Sequence, residues 1–547
     1  MKNKKRNILN SFIAFFLTAC ALTVFLYKDL FHTFYQQDEW LVLGIFLHGG
    51  IHEYLSQYSL LQHVRGDSRI LSVIFQYPFY TLFPYEILPF AAFSIIVHFF
   101  NSVLSYVLII LLGGGVIGAW IGGLFFLFSY NGSQAVSWFA TNTLSLPSTF
   151  FGTFSLILML LSIKINKWKY LWISQMCAIV SYYFKESGFI FILLLPIVFI
   201  IFQKRHMNMW KDIRSFIPMI LYCIVIVFAT CIRLFAPSTD MEKPTGTVIG
   251  GIWTILHNAW FYPVLSFSQL FIPFTFLTKI NPILREQSPL TDIIFLSLSE
   301  ALIFMIFISS CRLKNERKAI WFGLIFTLLA FVPYAVLDRG ASYLSSRHFY
   351  VGIMAGSVLV GLYAGIVWDK LKVVSVIYRR ALGIVFLGIL VIFVYKNIQY
   401  IRRDVYQFML DADERITILN QIKTEHPSLP KNPVFYITGD HPGYYFIKNQ
   451  ELPFQQGIGY TLMMWYYPVT NRLYEVLPLG MSHMRDISFQ GYVESNGRGF
   501  GYYYDKEALM NDFAKGEFTR TDIIGYFYYS GSRILEDISQ TVQNEMP

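Results

Sequence analysis

Charged side chains are scarce in this chain. Asp, Glu, Lys and Arg make up 14% of the 547 residues, whereas hydrophobic residues make up 55% and aromatic residues 18%. Soluble domains carry about 25% charged residues, and a mean hydropathy of +0.48 is too high for such a domain. The composition therefore excludes a soluble globular protein and predicts an α-helical polytopic membrane protein.

Cysteine is also scarce. The chain has five cysteines, and all of them lie in or beside apolar segments, so the polar C-terminal region contains none. This distribution provides neither a disulfide framework nor the spacing of a zinc site. We interpret the cysteines as packing residues.

Hydropathy predicts about eleven transmembrane spans. The first apolar run continues through "ALTVFLY" after Cys20, which favours a retained span over a cleaved signal peptide. The predicted spans lie near residues 8–27, 86–112, 116–130, 144–163, 170–184, 188–202, 215–235, 290–311, 319–337, 349–368 and 381–396.

Basic residues predict the orientation of these spans. The net charge is +9, and its Lys and Arg residues cluster in short polar segments such as "KINKWK" and "QKRHMNMWKDIR". Because cytoplasmic loops carry the excess of Lys and Arg, the pattern predicts a cytoplasmic N-terminus in the cytoplasmic (plasma) membrane. Membrane anchoring also explains the basic balance better than nucleic-acid binding does, and we expect no nucleic-acid partner. Lys396, Arg402 and Arg403 run against the trend, because they follow the last span on the predicted outer side.

The polarity of the chain predicts two domains. Residues 1–396 form a transmembrane domain, in which residues 28–85 are the first outer loop. Residues 397–547 are more polar and predict a small α/β domain on the extracytoplasmic face. Their "PVFYIT" at 433–438 is typical of a strand, and two later β-like runs each lead into a helix-like run.

Seven ionisable residues lie near the predicted outer membrane edge or within a span. Such groups are costly at membrane depth, so they usually pair with one another or mark a functional path. They are Asp38, Glu39, Arg69, His98, Lys185, Glu186 and Arg347. Most fall near the outer leaflet, whereas His98 lies deeper, within the second predicted span.

This set of residues suits the transfer of a sugar from a lipid-linked phosphate to a hydroxyl. The phosphate is a good leaving group that needs cations, whereas the acceptor hydroxyl needs a carboxylate base. Asp38 and Glu39 are adjacent, so their side chains point in different directions in a helix or a strand. They therefore suit a base with a helper better than the two carboxylates of a glycosidase, which lie about 5–10 Å apart across the sugar.

Five stretches resemble motifs of a known family, in the family's order, over about residues 30–360. "QQDEW" resembles the first outer loop of membrane glycosyltransferases of the GT-C fold, including the protein O-mannosyltransferases. "SRILSV" with the following "IIVHFFNSVL" resembles the RPL…H…N stretch of the transmembrane O-mannosyltransferases that carry tetratricopeptide repeats, and of their bacterial relatives. "QAVSWFATNTLSLPSTFF" is similar to that family's "EAVAWISGRADLLA"-type loop, "FKESG" to its KE motif, and "SSRHFYVGIMAG" to its "ERYLYLPS"-type segment.

The resemblance implies a GT-C fold and a glycosyltransferase that uses a polyprenyl-phosphate sugar. Asp38 would then take the acceptor proton, with Glu39 as its helper. The implied residues for binding the lipid phosphate and the sugar are Arg347, Lys185, Glu186, Arg69 and His98. The implied partners are a polyprenyl-phosphate-linked sugar, membrane lipid, and an acceptor protein, lipid or glycan. The repeats are absent from this chain, so the resemblance does not identify the sugar or the acceptor.

Every one of these residues also fits a simpler role. These roles are a helix cap for Asp38, a helix-start charge or a metal ligand for Glu39, a lipid-headgroup anchor for Arg347, mutual neutralisation for Lys185 and Glu186, an ion pair with Asp67 or a core acid for Arg69, and a structural hydrogen bond for His98. The alternative function is a flippase or transporter of lipid-linked saccharides, or a non-catalytic lipid-binding relative.

No pair of acids spaced for a metal accompanies Asp38, so we predict no metal cofactor.

Overall fold

Apolar helices account for most of the chain. The computed structural model describes residues 2–36, 38–48, 50–56, 58–64, 66–203, 216–217, 220–221, 224, 248–272, 288–313, 316–336, 344–371, 376–440, 458–467, 490–495 and 497–547. The described residues are mainly α-helical, and a small β-sheet lies near the C-terminus.

The helices are numbered in chain order among the described residues. The first eleven are α1 Lys2–Tyr27, α2 Asp38–His48, α3 Gly50–Ser56, α4 Leu60–Val64, α5 Ile70–Leu82, α6 Leu88–Leu112, α7 Gly115–Phe128, α8 Ser133–Ser137, α9 Phe139–Ile165, α10 Trp168–Phe184 and α11 Phe189–Phe202. The remaining eight are α12 Val248–Gln269, α13 Pro289–Cys311, α14 Arg317–Leu329, α15 Tyr350–Leu371, α16 Val376–Glu425, α17 Gly459–Tyr466, α18 Lys506–Ala514 and α19 Ser539–Glu545.

Seven helices in the described part of the chain are long and apolar enough to cross a membrane. These candidate spans involve α1, α6, α9, α13, α14, α15 and α16, and the bent pair α7 and α8 would make an eighth. The protein is therefore a membrane protein. The prediction of eleven spans is not confirmed, because the apolar run at 170–184 forms a helix of only 17 residues and the run at 215–235 lies largely outside the described residues.

A further helix lies between the spans predicted at 215–235 and 290–311, where the hydropathy predicted no span. Helix α12 occupies part of the 236–289 segment. Its sequence mixes Gly, His and Asn with apolar residues, and this lowers its hydropathy without preventing a helix. Hydropathy alone therefore assigned the segment to a loop.

The chain forms two compact units, each built from several stretches of sequence. The helical unit consists of Met1–Lys28, Tyr58–Val73 and Ala91–Asp404, and the mixed unit of Asp29–Gln57, Ile74–Phe90 and Val405–Pro547. This division differs from the expected one at 396/397. Most of the predicted first outer loop belongs to the mixed unit, together with the C-terminal region.

Small residues allow the helices of the helical unit to approach one another closely. A Cβ atom at Gly118 of α7 would collide with the backbone carbonyl of Gly361 in α15. Helices α9 and α10 are joined by a hydrogen bond from the Ser181 hydroxyl to the Ser148 carbonyl, at 2.6 Å. Small residues and hydroxyl hydrogen bonds are typical of helix packing inside membranes.

The mixed unit contains a five-stranded sheet with the order β2-β3-β1-β4-β5. The strands are β1 Val434–Gly439, β2 Gly491–Ser495, β3 Arg498–Tyr503, β4 Ile523–Tyr529 and β5 Ile534–Asp537. The central β1 is parallel to β3 and β4, with Val434 opposite Gly501 and Ile523, and the two edge strands are antiparallel to their neighbours. Helices α18 and α19 follow β3 and β5, so the predicted small α/β arrangement is confirmed.

Candidate functional site

An ion pair joins two motifs that are far apart in the sequence. Arg69 precedes α5, and Glu186 begins a 3₁₀ turn, Glu186–Gly188, between α10 and α11. The Arg69 Nε donates to Glu186 Oε2 at 3.0 Å and its Nη2 donates to Oε1 at 3.1 Å. Such two-point contacts fix the plane of the guanidinium group. Arg69 also has a positive φ of 45°, a conformation that costs a non-glycine residue free energy and is often found at functional sites.

Lys185 lies beside this pair and is buried. Its side chain comes from the turn that separates α10 from α11, and its Nζ donates to the Ser145 hydroxyl of α9 at 2.7 Å. Burial lowers the pKa of Lys185 to about 8; the charge of Glu186 opposes this shift, whereas the charges of Arg69 and Arg347 favour it. Lys185 is therefore a cation that changes its charge near neutral pH.

Arg347 reaches the same region from a third segment. It belongs to the 3₁₀ turn Ser346–Phe349 before α15, and its guanidinium carbon lies 4.5 Å from the centre of the Trp138 ring. Its backbone N–H donates to Gln134 Oε1 at 3.2 Å. These contacts place "SSRHFYVG" against "QAVSW", whose residues lie more than 200 positions earlier in the chain.

Arg69, Lys185, Glu186 and Arg347 together form what we call the cationic cluster. Arg69 and Arg347 both act on the charge of Lys185, and the Tyr334 hydroxyl interacts electrostatically with Glu186, Arg347 and Arg69. The cluster combines three basic groups with one carboxylate. An excess of positive charge in a partly buried position is suited to binding a phosphate group.

His98 has the contacts of a structural histidine. It is 3% exposed on α6, and its Nδ1 is 2.8 Å from the hydroxyl of Tyr350, the first residue of α15. The rings of Tyr27 and Phe126 pack against it. His98 therefore supports the start of α15, three residues after Arg347.

Asp38 and Glu39 belong to the mixed unit, where they form the first turn of α2. Glu39 is 1% exposed, its Oε2 accepts a hydrogen bond from the Gln36 backbone N–H at 3.2 Å, and its charge acts on the buried Arg415. Burial and the charge of Glu39 raise the pKa of Tyr35. Glu39 thus has the environment of a structural carboxylate, whereas Asp38 is only half-buried.

The structure adds polar residues of α9 that the sequence did not single out. Ser145 accepts the hydrogen bond from Lys185, and Asn142 is completely buried one turn earlier. In the part of the chain that the structure describes, neither the nitrogen nor the oxygen of the Asn142 amide has a hydrogen-bond partner. The only signal in the sequence was a polar residue at helical spacing from both Trp138 and Ser145.

The search for metal-binding groups among the described residues and the comparisons with known proteins do not identify the function of this site. Among the described residues, no three His, Cys, Asp or Glu side chains are grouped so that they could hold a metal ion. The chain matches no protein-family model and no curated protein sequence. The geometry of the residues is therefore the basis for assigning a function.

Proposed function

We propose that the protein is a membrane glycosyltransferase of the GT-C type that moves a sugar from a polyprenyl-phosphate donor to an acceptor hydroxyl. The observation that carries the proposal is the cationic cluster. Segments far apart in the sequence bring three basic groups and one carboxylate into one region of the helical unit. A lipid-linked phosphate is the anion that a membrane protein can bind directly from the bilayer.

The cluster residues have distinct roles in this proposal. Arg347 and Lys185 hold the phosphate oxygens as charge develops on the leaving group. Arg69 adds a third positive charge, and Glu186 fixes the orientation of its guanidinium group. No general acid is needed, because a phosphate leaves without being protonated.

The transfer is a direct displacement at the anomeric carbon. The acceptor oxygen forms a bond to that carbon while the bond from the carbon to the phosphate oxygen breaks, and the electron pair leaves with the polyprenyl phosphate. Asp38 takes the proton of the acceptor hydroxyl. A single displacement of this kind inverts the configuration at the anomeric carbon.

The proposal also includes the side of the membrane on which the reaction takes place and the kind of acceptor. The N-terminus is cytoplasmic, and the reaction and the C-terminal region are extracytoplasmic, at the cytoplasmic (plasma) membrane. The acceptor is a hydroxyl of a protein, a lipid or a glycan. The basis for this orientation is the excess of Lys and Arg in the segments between the apolar runs.

The test is the fate of a labelled donor incubated with the purified protein. A transferase releases free polyprenyl phosphate, and the Asp38→Asn variant should release none while its melting temperature stays that of the wild type. Wild-type turnover by that variant would contradict the role of Asp38. Absence of release by the wild type with every donor and acceptor supplied would contradict the transferase itself.

A flippase of lipid-linked saccharides is the second candidate. Transporters often bind their substrate beside broken helices, and α7 and α8 form a pair that is bent by 53°. Helix α8 contains Gln134, which accepts the backbone hydrogen bond from Arg347. A flippase would move the labelled donor across a vesicle bilayer without cleaving it, so the same donor distinguishes the two functions.

A further inference from the structure

Asn142 carries polar groups that the described part of the protein does not satisfy. Its side chain is 0% exposed, and both amide atoms lack a hydrogen-bond partner among the described residues. Burying a polar group without a partner costs free energy, and most buried side-chain amides in proteins are bonded. This residue therefore has the properties of a group that binds a ligand.

The position of Asn142 relates it to two basic residues of the cationic cluster. Trp138 is the N-cap of α9, where its carbonyl accepts a hydrogen bond from the Asn142 backbone N–H at 3.0 Å. Asn142 and Ser145 lie three residues apart, on one face of the helix. Arg347 lies over the ring of Trp138, and Lys185 donates to Ser145. Asn142 is thus placed along α9 between the contact points of the two cations.

Trp138 adds a second unsatisfied donor at the start of α9. Its indole N–H is buried and has no partner in the described residues, and Trp138 as a whole is 8% exposed. One face of its ring is covered by the Arg347 guanidinium. The indole therefore offers its N–H edge to a ligand rather than that ring face.

The chemistry of an amide selects the kind of ligand. A phosphate oxygen only accepts hydrogen bonds, so it would satisfy the Asn142 nitrogen and leave the carbonyl oxygen unpaired. Neighbouring hydroxyls of a sugar can accept from the nitrogen and donate to the oxygen at once. We propose that Asn142, with the Trp138 N–H, binds the hydroxyls of the sugar whose phosphate the cationic cluster holds. This inference rests on the proposed phosphate site and adds the sugar subsite to it.

The experiment compares binding of a phosphate with and without a sugar. Farnesol, farnesyl phosphate, methyl farnesyl phosphate, mannosyl farnesyl phosphate and glucosyl farnesyl phosphate are titrated against the full chain in detergent, by calorimetry. The methyl diester carries the same single negative charge as the glycosyl diesters. We expect the wild type to bind at least one glycosyl farnesyl phosphate about 10- to 100-fold more tightly than methyl farnesyl phosphate, the effect of about two net hydrogen bonds. Asn142→Leu should lose this preference and keep the affinity for farnesyl phosphate.

Thermal stability separates a ligand-binding role from a structural one. Asn142→Leu removes an unsatisfied buried amide, so its melting temperature should equal or exceed that of the wild type. The matched control is Asn101→Leu, because the Asn101 nitrogen donates to the Leu146 carbonyl at 3.1 Å and the Tyr350 hydroxyl at 3.2 Å. This control should melt at a lower temperature and keep the preference for the glycosyl ligand. Asn142→Ala provides the same comparison if the leucine is not accommodated.

Two results would contradict the sugar subsite, and a third would contradict the phosphate site on which it depends. Retention of the glycosyl preference in the Asn142 variants would show that the amide does not bind the sugar. A lower melting temperature together with equal losses of all ligands would assign Asn142 a structural role. If the wild type binds farnesyl phosphate no better than farnesol, the phosphate site itself is wrong and the subsite fails with it.

Discussion

Arg69 and Glu186 lie 117 residues apart in the sequence and face each other through two hydrogen bonds, at 3.0 and 3.1 Å. Their side chains are 41% and 42% exposed, and ion pairs with this exposure contribute only about 0–1 kcal/mol to stability. The pair therefore does little to hold the fold together. Its consequence is that a guanidinium group has a fixed orientation beside Lys185.

Glu186→Gln should weaken donor binding while the fold stays intact. The amide cannot hold the guanidinium as a carboxylate does, so Arg69 loses its fixed position and the affinity for a lipid-linked phosphate should fall about tenfold or more. The melting temperature should change by no more than a few degrees. Glu545→Gln is the matched control, because Lys506 and Glu545 form a similarly exposed pair, at 45% and 49%, in the mixed unit. Equal affinities for wild type and Glu186→Gln would contradict the positioning role.

Phosphate binding should depend on pH through Lys185. Burial lowers the pKa of this residue to about 8, so its side chain is a cation below that pH and neutral above it. The affinity of the free protein for farnesyl phosphate should therefore fall as the pH rises through about 8. Lys185→Arg keeps the charge at every accessible pH and should move or abolish the fall. A flat wild-type profile between about pH 6.5 and 9.5 would exclude Lys185 from the phosphate site.

The sequence singled out the residues of the cationic cluster more readily than the contacts among them. "FKESG" and "SSRHFYVG" were recognisable because ionisable residues are rare in apolar segments, and Lys185, Glu186 and Arg347 do belong to one cluster. Arg69 was expected to pair with Asp67 or with a core acid, and it makes a two-point contact with Glu186. Such a partner depends on how the residues before α5 and the turn after α10 are brought together, and this leaves no periodic pattern in the sequence.

The fold shows the same division between local and non-local information. The strand β1 follows from local alternation and forms at its predicted position, and the two helix-like runs expected after β-like runs form α18 and α19. The grouping of residues 29–57 and 74–90 with the C-terminal region depends on contacts over hundreds of residues. Aromatic side chains make some of these contacts within the mixed unit, such as those of Trp40 and Tyr85 with Trp465. Hydropathy carries no information on such pairs.

Gly188→Ala should displace the turn that carries Lys185 and Glu186. A Cβ atom at Gly188 would lie 2.5 Å from the backbone carbon and oxygen of Ser181, and neither can move without shifting α10. We expect a loss of about 1–3 kcal/mol in the free energy of unfolding and a marked loss of phosphate affinity. Gly388→Ala is the control, because no described heavy atom lies within 4 Å of its Cβ position, and alanine should favour the helix by about 0.5–1 kcal/mol. Similar behaviour of the two variants in thermal unfolding and ligand titration would mean that the close contact with Ser181 does not hold the turn.

Asp38 and Glu39 should separate into a catalytic and a structural residue when each is replaced by its amide. Glu39 is buried, accepts from the Gln36 N–H and acts electrostatically on Arg415, so Glu39→Gln should lower the free energy of unfolding by about 1–3 kcal/mol. Asp38 is half-buried at the start of α2, so Asp38→Asn should keep the wild-type stability and, if Asp38 is the base, lose at least about 100-fold in turnover. Thermal unfolding and release of labelled polyprenyl phosphate, measured on the same preparations, test both expectations. The opposite pattern, with a stable but inactive Glu39→Gln and an active Asp38→Asn, would transfer the role of base to Glu39.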